Sequence, residues 1–187
     1  GSVTRNLLRQ LPVPAITVSH DAHPMKLSRI LFATDLSNAF REGLDFSIDL
    51  ARHTGSELIV FHSIAPLPAQ YGALLPGIDL VEGRKQLLQE TRAILANIEA
   101  EGVRAGIRMR TELAEGPAEE KILSAVDKFA AELVIMTIQD KGIVERAVLG
   151  STAERLVRDA KVPVLSLPVR VKTHSGNITE RQIVLES

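Results

Sequence analysis

Short apolar runs of strand length alternate along this chain with longer stretches in which apolar residues recur every three or four positions. Arg29 to Thr34 (RILFAT) and Glu57 to Ile64 (ELIVFHSI) are two such runs. Between them the pattern predicts a helix from about Ser37 to Thr54, with Leu44, Ile48 and Ala51 on one face and Gly55 as its stop. Ala65 to Ile78 is rich in Pro and Gly and reads as a loop. Leu80 to Glu101 reads as a long amphipathic helix that buries Leu87, Leu88, Ile94, Leu95 and Ile98 and ends at Gly102. Val103, Ala105, Ile107 and Met109 alternate with Arg104, Arg108 and Arg110, which predicts a third strand at a sheet edge with one wet face. Gly116-Pro117 opens a further helix, with Glu119-Glu120 at its positive end and Ile122, Val126 and Phe129 facing inward. Leu133 to Met136 is the fourth strand, a helix begins near Ser151, and Val162 to Leu167 is the fifth strand. Strands alternating with helices imply an α/β fold: an open parallel five-stranded sheet with helices on both faces.

A second pattern is laid over the first. Gly1 to Val18 (GSVTRNLLRQLPVPAITV) aligns without a gap on Gly150 to Leu167 (GSTAERLVRDAKVPVLSL). Gly, Ser, Leu, Arg, Val and Pro match at Gly1/Gly150, Ser2/Ser151, Leu7/Leu156, Arg9/Arg158, Val13/Val162 and Pro14/Pro163. An offset of one domain length predicts that residues 1–18 are the last helix and strand of a preceding similar domain. A leading Gly-Ser alone is uninformative, since cloning leaves the same dipeptide; the Leu-Arg-Val-Pro matches are not explained that way. The expected organisation is a helix-strand piece at 1–18, a linker at 19–28, one domain at 29–169 and a tail at 170–187.

Composition narrows the function classes. A net charge of −1 supplies no field for nucleic acid, and 3% aromatic residues with no Trp leave little to stack bases on. Zero Cys excludes disulfides and thiolate metal sites and suits a reducing compartment, so the expected location is cytoplasmic. No apolar run reaches membrane-spanning length.

In open parallel sheets, ligands bind beyond the carboxyl ends of strands where the winding reverses. Thr34-Asp35 follows the first strand, and Thr137 to Ser151 follows the fourth. A helix start at Gly150-Ser151 offers unpaired N–H groups to an anion. Ser151-Thr152-Ala153-Glu154 equally spells a capping box that needs no ligand, and Asp35 equally suits a turn. His20-x2-His23 with Asp21 has metal-like spacing but no fourth ligand nearby, and reads as solvated linker. His62 reads as a satisfied, half-buried histidine. No nucleophile elbow, Walker loop or dinucleotide fingerprint is present, so the chain is expected not to be an enzyme.

ILFATDLS, ELIVFHSI and, most specifically, LVIMTIQDKGIVERAVLGSTAERLVRDAKVPVLSL make Ser28 to Val169 resemble a universal stress protein domain. The resemblance implies strand order 3-2-1-4-5, with the Asp35 loop beside the loop after the fourth strand. Nucleotide-binding members carry Gly-x2-Gly-x9-Gly-(Ser/Thr) in that loop. By resemblance, any nucleotide site here comprises Asp35, Ser63, Thr137, Asp140, Lys141, Gly150, Ser151 and Thr152. The chain departs from the pattern: Thr137 and Asp140 hold the first two Gly positions, and Ala33 replaces the usual Pro. Lys141, Gly142 and Arg146 are the residues that can offset those changes. A carboxylate about 6 Å from a phosphate charge costs roughly 2–3 kcal/mol at an effective dielectric near 20. That is on the order of a hundredfold in affinity. The expectation is a regulatory module with weak or absent ATP binding; the alternative is a sensor binding ATP with Mg²⁺ through a non-standard loop. No cofactor is required by any motif. Similar family members dimerise by antiparallel pairing of fifth strands, which implies a homodimer through Val162, Val164, Leu165 and Leu167. Val13 and Ile16 would imitate the partner strand.

Overall fold

The computed structural model describes residues 13–18, 26–66, 80–140 and 150–170. Its elements are β1 (Ala15–Thr17), β2 (Arg29–Thr34), α1 (Phe40–Thr54), β3 (Glu57–Ile64), α2 (Leu80–Arg104), β4 (Met109–Glu115), α3 (Ala118–Phe129), β5 (Leu133–Asp140), α4 (Ser151–Asp159) and β6 (Val164–Arg170). They form one mixed sheet in the order β1-β6-β5-β2-β3-β4. The expectation of five parallel strands in order 3-2-1-4-5 is corrected: among the described residues there are six, and the full order differs by the strand added beyond β6. That strand, β1, pairs with β6 antiparallel, while the remaining pairs are parallel.

Alternation along the strands builds two cores. Ile30, Phe32, Val60, Ile135 and Leu165 face α1 and α2, whereas Leu31, Ala33, Phe61, Val134, Met136 and Val164 face α3 and α4. Both faces of the central strands are dry, so these runs read as continuously apolar.

Several expected boundaries move, each for a local reason. α1 begins at Phe40 rather than Ser37 because the chain first makes a turn. Thr34 Oγ1 accepts the Leu36 N–H at 3.0 Å, Asp35 Oδ1 accepts the Ser37 N–H at 2.9 Å, and Leu36 adopts a left-handed φ of 57°. Such side-chain hydrogen bonds compete with helix for the same donors. α2 runs past Gly102 to Arg104 and turns off at Gly106, whose φ is +71°. Gly102 is instead a contact residue: a Cβ there would lie 2.5 Å from Met109 Cβ. The predicted third strand therefore begins at Met109, and Val103 is a 70% exposed helical residue. On α2, Leu95 and Ile98 are buried as expected, but Leu87 and Ile94 are 45% and 47% exposed and Thr91 takes the inward place. On α3, Ile122 and Val126 are buried with Ala125, Phe129 is partly buried, and Pro117 caps the helix rather than opening its first turn. β5 extends to Asp140 and β6 runs from Val164 to Arg170, so Val162 precedes the fifth strand of the expected unit.

The strand-like segment at Val13 to Val18, expected to imitate a partner strand on the fifth strand, does pair there: β1 lies antiparallel on β6, and among the described residues the sheet's edges are β1 and β4. At β4, Glu99 of α2 accepts from both the N–H (3.1 Å) and Oγ1 (2.9 Å) of Thr111. No helix among the described residues is long and apolar enough to cross a membrane. The expected helix at 3–10, the linker histidines, the Pro-Gly loop after Pro66 and the tail after Arg170 lie outside the described residues.

Candidate functional site

At the carboxyl ends of β2 and β5 a cleft of about 410 Å³ opens on the α3–α4 side. Its floor is apolar: Ala33, Phe61, Met136, Ile138, Ile122 and Leu156. Polar groups stand at its rim: Thr34 and Asp35 after β2, Ser63 on β3, Thr137 on β5, and Gly150 and Thr152 at the start of α4. An apolar hollow with a few convergent polar groups is the usual form of a small-ligand site.

Most of these polar groups already have structural work. Thr34 and Asp35 hold the turn into α1. Asp35 is exposed and keeps a second carboxylate oxygen for a ligand. Ser63 Oγ donates to the Gly116 carbonyl at 2.8 Å. His62 Nδ1 lies 2.8 Å from the Thr34 carbonyl oxygen, which makes it the donor and the histidine a structural strap between β2 and β3.

The start of α4 bears on one of the two sequence readings of Ser151. Gly150 occupies the N-cap with extended backbone (φ −61°, ψ 156°) and Ser151 is the first helical residue, so the expected capping box does not form. The leading N–H groups of a helix have no intrahelical acceptor, and here no cap side chain takes them. Arg155, one turn further on, is the cation nearest this rim in sequence among the described residues. It is committed to Glu119 (3.3 Å), Glu120 (3.8 Å) and Asp159 (3.7 Å). The Glu119-Glu120 pair thus serves both the α3 dipole and a bridge to α4.

Thr137 stands differently from its expected role. It borders the cleft, but its Cγ2 lies 2.6 Å from where a Cβ on Gly43 of α1 would be. Its side chain therefore fills the opposite face of the sheet. Asp140 is the last residue of β5, in register with Arg170 of β6; Lys141, Gly142 and Arg146 lie outside the described residues. Of the expected site, the cleft gathers Asp35, Ser63, Thr137, Gly150 and Thr152, while Ser151 is exposed beside it. The apolar floor was missed. Strand parity was the available signal, since Ala33, Met136 and Ile138 share one face of neighbouring strands. No cluster of three metal-ligating side chains occurs among the described residues.

The expected partner-contact residues divide by context. Val164, Leu165 and Leu167 of β6 are buried within the chain and Val162 is partly so, whereas Val13 and Ile16 beside and on β1 are exposed.

Residues 26–168 match the model of the universal stress protein family. The chain belongs to that family. A universal stress protein of Methanocaldococcus jannaschii is 28% identical over 138 residues, covering 73% of this chain and 79% of the relative. One from Synechocystis is 25% identical over 166 residues, covering 89% of this chain but 50% of its own length. Among solved structures, a universal stress protein from Burkholderia pseudomallei superposes with a TM-score of 0.62 at 26% identity, over 79% of this chain and all of that one. A universal stress protein from Archaeoglobus fulgidus gives 0.65 at 23% identity, over 89% of this chain and 53% of that one, and so supports the fold alone. This universal stress protein chain therefore spans about half the length of the longer relatives it matches.

Proposed function

We propose that this universal stress protein domain is a regulatory binding module, acting through assembly in the cytoplasm, whose cleft holds ATP weakly or not at all. The carrying observation is the mismatch between the two halves of the cleft. Its apolar floor and the free carboxylate oxygen of Asp35 suit a nucleoside-sized group, and the start of α4 suits one anionic group. A triphosphate needs more. Arg155, the described cation nearest the start of α4 in sequence, is held by three carboxylates, and Asp140, the last residue of β5, holds a position where the family resemblance places Gly in nucleotide-binding members. Nothing in this reading asks a side chain to act as nucleophile or base, so the module is not proposed to be an enzyme.

Assembly is proposed to use β6. Its pairing edge takes an antiparallel strand of its own kind, supplied in this chain by β1. A homodimer is the arrangement expected when β1 is removed or exchanged between chains.

Heat stability with and without ATP and Mg²⁺ tests the ligand half. A ligand at 100 times its dissociation constant adds about 2.7 kcal/mol. Millimolar ATP with Mg²⁺ is expected to leave the unfolding temperature nearly unchanged. A rise of several degrees would favour the second reading, an adenine-nucleotide sensor that reaches phosphate through Gly150 and Thr152. Phosphate release that survives repurification would instead indicate an enzyme.

A further inference from the structure

The outer strand β4 pairs with β3 through every second residue. Leu58 N–H donates to the Arg108 carbonyl at 2.8 Å, and at the other end Gly116 N–H donates to the Ile64 carbonyl at 3.0 Å. In a parallel ladder of this register, Arg110, Glu112 and Ala114 turn their N–H and C=O groups toward β3. Met109, Thr111, Leu113 and Glu115 therefore turn theirs outward, where no further strand pairs among the described residues.

The outward N–H of Thr111 is already taken. A carboxylate oxygen of Glu99, carried by α2, accepts it at 3.1 Å and accepts the Thr111 hydroxyl at 2.9 Å. An ionised carboxylate only accepts, so an approaching strand meets no free donor at Thr111 and a negative charge in its place. α2 is held where this contact requires it: Arg84 bonds to Glu115 of β4 at 2.8 Å, and Arg41 of α1 pairs with Glu101.

What the contact excludes is legible in β4 itself. A second β4 laid antiparallel about Thr111 would exchange both hydrogen bonds between the two Thr111 residues, the outward donor and acceptor of each. Arg110 would then face Glu112, and Met109 would face Leu113. Opposite charges meet on one face of the sheet and apolar side chains on the other, the pairings that stabilise neighbouring strands. Within one chain Arg110 pairs with Glu57 and Glu112 with Lys128 at the surface, contacts weak enough to be shared. We infer that β4 is a strand-pairing edge for a second copy of this chain, held shut by the contact of Glu99 with Thr111. The inference lies outside both halves of the proposed function, since neither the cleft nor the pairing of β1 with β6 uses β4 or Glu99. An edge strand without such a guard is a template for unwanted pairing.

Residue-resolved hydrogen exchange and particle mass, both on the full chain, test this. In the wild type the Thr111 amide, although outward, should be protected as the Arg110 and Glu112 amides are. Glu99→Ala should speed its exchange at low concentration by at least about tenfold. As concentration rises, Glu99→Ala should form a particle of about twice the wild-type mass, with the β4 amides protected again. Glu99→Gln keeps an oxygen acceptor and should hold the wild-type mass throughout. Adding Thr111→Pro to Glu99→Ala removes the outward N–H where an edge strand tolerates proline, and should restore the wild-type mass. An unprotected Thr111 amide in the wild type overturns the inference without recourse to any variant. So does a Glu99→Ala chain that keeps the wild-type mass at every concentration, or one that associates with β4 unprotected. Association of Glu99→Gln as readily as Glu99→Ala, or of the double variant, overturns it as well.

Discussion

Gly43 is the point at which α1 comes closest to the sheet. A Cβ there would lie 2.6 Å from Thr137 Cγ2 and 2.7 Å from Phe32 Cζ, and both neighbours are packed. Gly43→Ala is therefore expected to cost about 1–3 kcal/mol by overpacking, read as a lower denaturation midpoint. The same contact separates Thr137 from Asp140, the two residues at which the resemblance implies Gly in nucleotide-binding members. Thr137→Gly should loosen the α1 face and lower stability without improving anion binding, whereas Asp140→Gly changes the last residue of β5. At the other extreme, the Ser166 hydroxyl is buried on β6 with no hydrogen-bond partner among the described residues. Ser166→Ala removes a desolvated polar group of the kind that costs about 1–3 kcal/mol when unpaired. It should leave thermal stability unchanged or raise it; a clear loss would mean that the hydroxyl has a partner. Residue-scale legibility followed the same division. Asp35 as a turn residue and His62 as a satisfied histidine could be read from position in the sequence. Gly43 and Thr137 could not, because their meaning is a contact between residues far apart in the chain.

Between elements, the amphipathic pattern located every described helix, but it placed the faces and ends of α2 poorly. Leu87 and Ile94 satisfy helical spacing as well as Leu95 and Ile98 do, and only the packing of α2 against β3 and β4 decides which pair is covered. Gly102 resembles a stop in sequence, yet it is retained for close approach to Met109, and the stop is Gly106. α1 and α2 are tied across their surfaces by Arg41 and Glu101. The hydrogen bond from Arg41 holds the Glu101 carboxyl below its ordinary range, with burial opposing and the guanidinium charge adding to it. A carboxyl lowered in the folded state contributes stability above its unfolded pKa and loses it as pH falls through the folded value. Glu101→Gln should thus lower stability at pH 7 by about 0.2–1 kcal/mol, the range for exposed pairs. The gap from wild type should close as the pH falls below the usual carboxylate range. A gap that persists at low pH would mean that packing, rather than charge, ties the two helices. On the opposite face, Arg155→Ala frees Glu119 and Glu120 beside the cleft. It is expected to weaken any anion binding further, measured by displacement of ATP.

For the whole molecule, alternation of strands and helices gave the α/β class, and the closing unit gave the family. The sixth strand came from a different signal, the terminal repeat, and its pairing with β6 follows from the unmet hydrogen bonds of an edge. The apolar floor of the cleft was hidden because its residues are also core residues of β2, β3, β5, α3 and α4, and composition does not distinguish a core from a cavity wall. What the described residues present is a cleft with an apolar floor at the carboxyl ends of β2 and β5, and the proposed reading is that its anion-facing side is poor. The most direct test is a calorimetric titration of ATP with Mg²⁺ into the full chain and into Asp140→Gly. The account predicts wild-type binding no tighter than roughly the high-micromolar to millimolar range, and tightening on the order of a hundredfold in Asp140→Gly. Wild-type binding near 1 μM, or an Asp140→Gly titration no different from wild type, would contradict it.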